Sequence, residues 1–225
     1  MSDTLIFILF AGGIGFFIFI SFYFGERSVI LRKLKKIEVK PINRIRENEI
    51  AKVIGKISVD NEFLIAPISK RKCVSYKVHV ERKVKSGKHS RWSTIIDDKK
   101  SIDFIIESRS EKALIEMKNI RSYFNEDEKQ ESGFLNDANP ELEDYLNQYG
   151  EKSVGFLGFN KTIRYSEGIL EPNESIAILG TANWKDPKDY NIKDSYSKIL
   201  VLSGNQKDKL IITDDSKATK PKRHA

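Results

Sequence analysis

The sequence predicts a mainly β, α+β fold: a single N-terminal transmembrane helix followed by an OB-like or small, partly closed β-barrel domain with one or two helices. Three observations predict it. The first 25 residues are almost wholly apolar, whereas the remainder is charge-rich. From Ile50 onward apolar residues recur with a period of two, the spacing of half-buried strands. One helix signature, at Pro140, interrupts that pattern. The 225 residues thus divide into a transmembrane anchor at 1–25, a basic amphipathic juxtamembrane helix at 26–41, a β-rich domain at 42–213 and a disordered basic tail at 214–225.

The anchor reading rests on Thr4 to Gly25, which carries no formal charge. As a helix it would span about 33 Å, enough for a hydrocarbon core of about 30 Å. A cleavable signal peptide is disfavoured, because no basic residue precedes the apolar run and Ser21-Phe22-Tyr23-Phe24-Gly25 is a poor cleavage site. Arg27, Arg32, Lys33, Lys35 and Lys36 follow it closely. By the positive-inside rule the N-terminus is expected outside and the C-terminal domain in the cytoplasm, with these five residues touching anionic lipid.

Glu26 to Val39 reads as a helix in which Ile30, Leu34 and Ile37 share one face, free to lie on lipid or on the domain, and Pro41 ends it. Ala51, Val53, Gly55, Ile57 and Val59 then alternate as a strand, Asp60-Asn61 signals a turn, and Phe63 to Ile65 is a short run. Val74, Tyr76, Val78 and Val80 form one face of a longer strand, with Ser75, Lys77, His79 and Glu81 on the other. A turn at Lys85-Ser86-Gly87-Lys88 leads to strand candidates at 92–96, 102–106 and 113–117. Asn139 suits an N-cap and Pro140 the first helical position; Leu142, Tyr145, Leu146 and Tyr149 give the apolar face, and Gly150 the stop. Further strands are expected at 162–170, 175–179, 198–202 and 209–213.

Charge and composition exclude several classes. The net charge of +7 is concentrated after the anchor and in the tail, around an acidic stretch from Glu126 to Asp144. Uniform basicity would instead suggest nucleic acid. A single cysteine, Cys73, forbids an internal disulfide. Cys73, His79, His89 and His224 have no spacing that suits zinc, so no metal ligand is assigned. Gly155 and Gly158 lack the third glycine and the strand–helix context of a dinucleotide loop, so no cofactor is expected. Cys73 and His79, six apart on one strand, stand about 20 Å apart and make no nucleophile–base pair. No catalytic residue is assigned. The best binding feature is the hairpin tip, with Lys83, Lys85, Lys88, His89 and Arg91 beside Trp92, suited to anionic lipid headgroups or to nucleic acid. Its plainer reading is a charged hairpin that keeps a sheet edge soluble.

The run from Ala66-Pro67-Ile68-Ser69 through Cys73-Val74 and Tyr76 to Val80-Glu81, with Trp92 and Phe104 beyond it, resembles the signature of the GIDE domain, also called BAM, for "beside a membrane". Arg164-Tyr165-Ser166-Glu167-Gly168-Ile169-Leu170, Ile176 to Gly180 and Leu210 to Asp214 resemble its later segments. The resemblance spans roughly 42–216 and implies a membrane-associated domain related to those of mitochondrial-type RING ubiquitin or SUMO ligases. A second span and a RING, which needs eight zinc ligands, are both missing here, so the resemblance is to short prokaryotic-like members. The expected function is a membrane-anchored, non-enzymatic binding or scaffold module with membrane lipids and a membrane-associated protein as partners. The alternatives are a ligase-associated component whose catalytic parts lie in another chain, and nucleic-acid or anionic-lipid binding through the basic surface.

Overall fold

A computed structural model describes residues 13, 20–21, 23–60, 62–132, 140–154, 161–190, 192 and 197–220. The first long strand, β1 (Ile50–Ile57), begins a barrel with β6 (Phe104–Ser108), β7 (Glu111–Ile115), β12 (Ile199–Ser203) and β11 (Ser175–Lys185). Neighbours pair in that order and β11 pairs back on β1, so the ring of five strands is closed. Two more strands, β13 (Leu210–Thr213) and β8 (Ile120–Tyr123), extend the sheet from β11. All these pairings are antiparallel except β12–β7 and β13–β8.

Period-two patterning sorts the side chains. Ala51, Val53 and Ile57 on β1, Phe104 and Ile106 on β6, Ala113 and Ile115 on β7, Ile176 and Ile178 on β11, and Leu200 and Leu202 on β12 fill one buried cluster inside the ring. Alternate positions face outward, where Leu114, Ile199 and Val201 make a smaller cluster. Gly55 sits where β1 passes from β11 to β6; a Cβ there would stand 2.8 Å from the Glu107 carbonyl oxygen. Only glycine permits that approach.

A second sheet has the order β5–β4–β10–β9, with β4 (Ser75–Ser86), β5 (His89–Ser101), β9 (Glu128–Ser132) and β10 (Ile163–Leu170), all antiparallel. Helix α2 (Pro140–Gln148) covers one face, packing Leu142, Tyr145 and Leu146 on Val78, Val80, Ile96, Ile163 and Tyr165. The expected N-cap Asn139 lies outside the described residues, as do Gly155 and Gly158. Val74 and Leu170 join the two sheets: both lie in the barrel's cluster, and the Val74 N–H donates to the Leu170 carbonyl at 2.9 Å. A two-residue pair, β2 (Leu64–Ile65) with β3 (Lys72–Cys73), brackets the Ala66–Arg71 loop.

The expected transmembrane anchor is corrected. Among the described residues no helix is long and apolar enough to cross a membrane. Most of residues 1–22 lie outside the described residues. The helix α1 (Glu26–Lys36) has 11 residues and is strongly charged. It buries Ile30 and Leu34 against Ala177, Leu179 and Ile211, on the outer wall of the extended sheet. Arg27 pairs with Asp215 at 2.6 Å, and buried Lys52 donates to the Leu34 carbonyl at 2.9 Å. Its apolar stripe is thus spent on protein. The membrane and single-pass readings, and the outside-to-cytoplasm placement built on them, fall with the anchor. The helix also ends at Lys36 rather than at Val39, because Val39 bridges to Lys52 in extended conformation. At the other end, Ser216–Thr219, inside the stretch expected to be disordered, forms α3, capped by the Asp215 carboxylate accepting from the Lys217 N–H.

Candidate anion-binding cleft

The residues that carry the family resemblance divide between the two sheets: Phe104, Ile176–Gly180 and Leu210–Thr213 belong to the barrel sheet, and Glu81, Trp92, Arg164 and Glu167 to the second sheet. Glu167 is fully buried and accepts from the Ile68 and Ser69 N–H groups, each at 2.9 Å, so one carboxylate pins the Ala66–Arg71 loop. Arg164 donates to Glu81 across the strands at 2.6 Å, and this hydrogen bond holds the Glu81 carboxyl below its usual range. The Arg164 guanidinium also lies 4.2 Å from the Trp92 ring centre, with Lys83 at 5.8 Å. Cys73 is buried beside Ala66 and Ile169, and burial pushes its thiol up to about 12. It is no nucleophile at neutral pH.

The sequence-predicted binding residues disperse. Register places Lys83 opposite Trp92, Val84 opposite Arg91, Lys85 opposite Ser90 and Ser86 opposite His89, around the turn at Gly87-Lys88. Lys83, Lys85 and Trp92 therefore share one face, while His89 and Arg91 point to the other. In α1, Arg27 is committed to Asp215, and Arg32 to the Tyr23 carbonyl and ring, the latter at 3.9 Å. Lys35 and Lys36 are exposed.

Of the expected set, Lys33 lines a concave site. A cleft of about 630 Å³ opens where α1, the second sheet and the extended sheet meet. Six cations line it: Lys33 from α1, Lys77 from β4, Lys99 from β5, Arg121 from β8, and Lys207 and Lys209 from the β12–β13 connection. Glu26 is the one carboxylate in its lining, 3.9 Å from Lys77 and 4.0 Å from Arg121. Lys99 also meets Asp97 at 3.3 Å. Lys33, Lys207 and Lys209 make no ion pair among the described residues.

Local structure aims these groups. Asn205 turns the β12–β13 connection by accepting from the Lys207 and Asp208 N–H groups at 2.8 and 2.7 Å. The β4–β5 hairpin shifts register by one residue between Val80 and Glu81. Without the shift Lys77 would stand opposite Asp98; with it, Lys77 stands opposite Lys99. The shift also sends Asp98 beneath α2, where it accepts from Tyr145 at 3.0 Å and Tyr76 at 3.3 Å. Directly opposed like charges destabilise a sheet, so the fold tolerates a local cost at the cleft wall. A neighbouring hollow of about 340 Å³ shares Lys77 but is mixed in charge, with His79, Asp97 and Glu126.

Sequence reasoning missed Lys77, Lys99, Arg121, Lys207 and Lys209, which lie far apart along the chain and join only through the tertiary fold. The one local signal was the lysine-bearing polar face of β4. The chain matches no family model, no curated protein and no solved structure.

Proposed function

We propose that this chain is a non-enzymatic binding module, of the kind the GIDE or BAM resemblance implies, that engages an anionic partner through its basic cleft. The observation that carries this reading is the convergence of six cations, from three sheet strands, one helix and one turn, on a concavity lined by a single carboxylate. Such convergence raises the local potential and favours anion capture. The motif residues support the same division of labour. Glu81, Arg164, Glu167 and Cys73 are engaged in packing and in hydrogen bonds within the second sheet and its loop, whereas Lys77, in the same run, turns to the cleft.

Retention of the full chain on a phosphate-bearing matrix tests the reading. Binding is expected to persist at physiological salt and to weaken steadily as salt rises. Passage straight through the matrix at physiological salt would overturn it.

A further inference from the structure

The cleft reports more than a preference for negative charge. We propose that it is a binding site for an oligophosphate group, and that Glu26 occupies it in the free protein as an internal stand-in for one phosphate. The inference rests on the binding-module reading and names the ligand class of the same site.

Three observations carry it. The Glu26 carboxylate bridges two cations from different strands, one oxygen 3.9 Å from Lys77 Nζ and the other 4.0 Å from Arg121 Nε. Both distances are longer than a direct charged hydrogen bond, and Glu26 is exposed, so an incoming anion meets a weak competitor. A phosphate offers more acceptor oxygens and more charge than one carboxylate, and the Arg121 fork suits it. Next, the β-bulge sets Lys77 against Lys99, a repulsion that a bound anion removes. Lastly, Lys33, Lys207 and Lys209 remain for further phosphates, which calls for a ligand with several charges rather than one.

Size and lining narrow the class. The cleft falls in the range of small-molecule sites, roughly 300–1,000 Å³. Its apolar lining is Ile120 and Ile211, with no aromatic ring. Single-stranded nucleic acid needs aromatic platforms for its bases, so the recognised chemistry is the phosphate chain itself. That group comes either free in solution or on a polyphosphorylated lipid headgroup.

Calorimetric titration of the full chain with inorganic triphosphate, at low and at physiological salt, tests this. The double variant Lys77→Gln/Arg121→Gln removes two cations without reversing charge, and its fold is checked by circular dichroism. It should bind roughly tenfold or more weakly. Glu26→Gln should bind a few-fold more tightly, because the internal competitor is gone. Lys83→Gln/Lys85→Gln, at the hairpin tip, should bind like the wild type. Phosphatidylcholine vesicles with and without phosphatidylinositol bisphosphate form a second arm. Vesicle binding that triphosphate displaces supports a lipid source, and triphosphate binding without vesicle binding supports a soluble one. Equal triphosphate affinity in the wild type and the Lys77→Gln/Arg121→Gln variant overturns the cleft assignment in both readings, while retention on the phosphate matrix without triphosphate binding overturns the oligophosphate class alone. Tighter binding of a single-stranded oligonucleotide than of triphosphate overturns the ligand class. Failure of the full chain to bind triphosphate, vesicles or phosphate matrix overturns both readings.

Discussion

The barrel and the four-stranded sheet solve the same problem by different means. The barrel has closed on itself, so its five strands need no edge protection, and its interior is filled by isoleucine, leucine, valine, alanine and phenylalanine. The sheet is open. Its edges, β5 and β9, carry charge along much of their length, one face lies under α2, and the other is polar. Ion pairs such as Glu81–Arg164 and Arg82–Glu151, at 2.6 and 2.9 Å, tie that sheet to itself and to the segment after α2. The difference teaches where adaptable chemistry can sit. A filled ring leaves no room for a ligand, whereas the polar face of an open sheet, met by α1 and β8, leaves a cleft.

The contrast predicts different responses to mutation. Ile178 is fully buried in the ring, between Val53 on β1 and Ile212 on β13. Ile178→Ala should cost roughly 4 kcal/mol, the transfer term plus the cavity left behind. In denaturant titration that loss should be the same at low and high salt. A strongly salt-dependent loss would break the comparison, because it would mean that charge as well as volume holds the barrel.

Glu167→Ala is the corresponding test of the sheet and should cost roughly 3 kcal/mol, because it strands the Ile68 and Ser69 N–H groups. Glu167→Gln keeps one acceptor oxygen and should lose about half as much. Loop opening should show as faster amide exchange at Ile68 and Ser69 in the alanine variant. Unchanged exchange there would remove Glu167 from its clamping role.

How much of this was legible follows from the same contrast. The barrel strands announce themselves, since an apolar interior imposes alternation on β1, β6, β11 and their neighbours. Glu128–Ser132 carries no such pattern; it becomes a strand only because β10 pairs with it, Glu131 opposite Arg164. Ile120–Tyr123 was unreadable for a similar reason, being recruited by β13 in parallel register. The cleft was least legible. Its cations are distant along the chain, and the Lys77–Lys99 pair depends on a bulge that hairpin counting from Gly87 does not anticipate. Of the basic clusters that sequence does display, the hairpin tip is divided between faces, and along α1 Arg27 and Arg32 are engaged within the protein while Lys33 reaches the cleft. The apolar run before Glu26 suggested a lipid anchor, whereas the described helix that follows it spends its stripe on the protein wall.

A smaller effect sharpens the electrostatic side. Arg164→Ala removes the Glu81 partner and uncovers one side of Trp92, at a cost of about 1 kcal/mol. In a Trp184→Phe background, the remaining tryptophan emission should shift as solvent reaches the ring. The loss should shrink at high salt, in contrast to Ile178→Ala. Unshifted emission would mean that Arg164 does not shield Trp92.

The smallest effect lies at the junction of the two regions, where Asp127, Glu171, Glu174 and Asp214 gather. Burial, aided by repulsion from Asp214, Asp127 and Glu171, raises the Glu174 carboxyl to about 7 from its ordinary 4.5. Burial likewise raises Asp214 to about 6 from 3.8. Between the unfolded and folded values of each group, the folded protein binds more protons than the unfolded chain, so stability from these groups falls as pH rises. For Glu174 the fall runs from pH 4.5 to about 7 and then levels. Glu174→Gln keeps an acceptor for the Glu171 N–H, now bonded at 2.9 Å, but has no proton to lose. The variant should match the wild type below pH 4.5 and exceed it above neutrality by about 1 kcal/mol, after allowance for partial exposure. Thermal melts across that window would read the difference. A stability gap that stays constant with pH would place the junction with the barrel, governed by packing, rather than with the charged sheet.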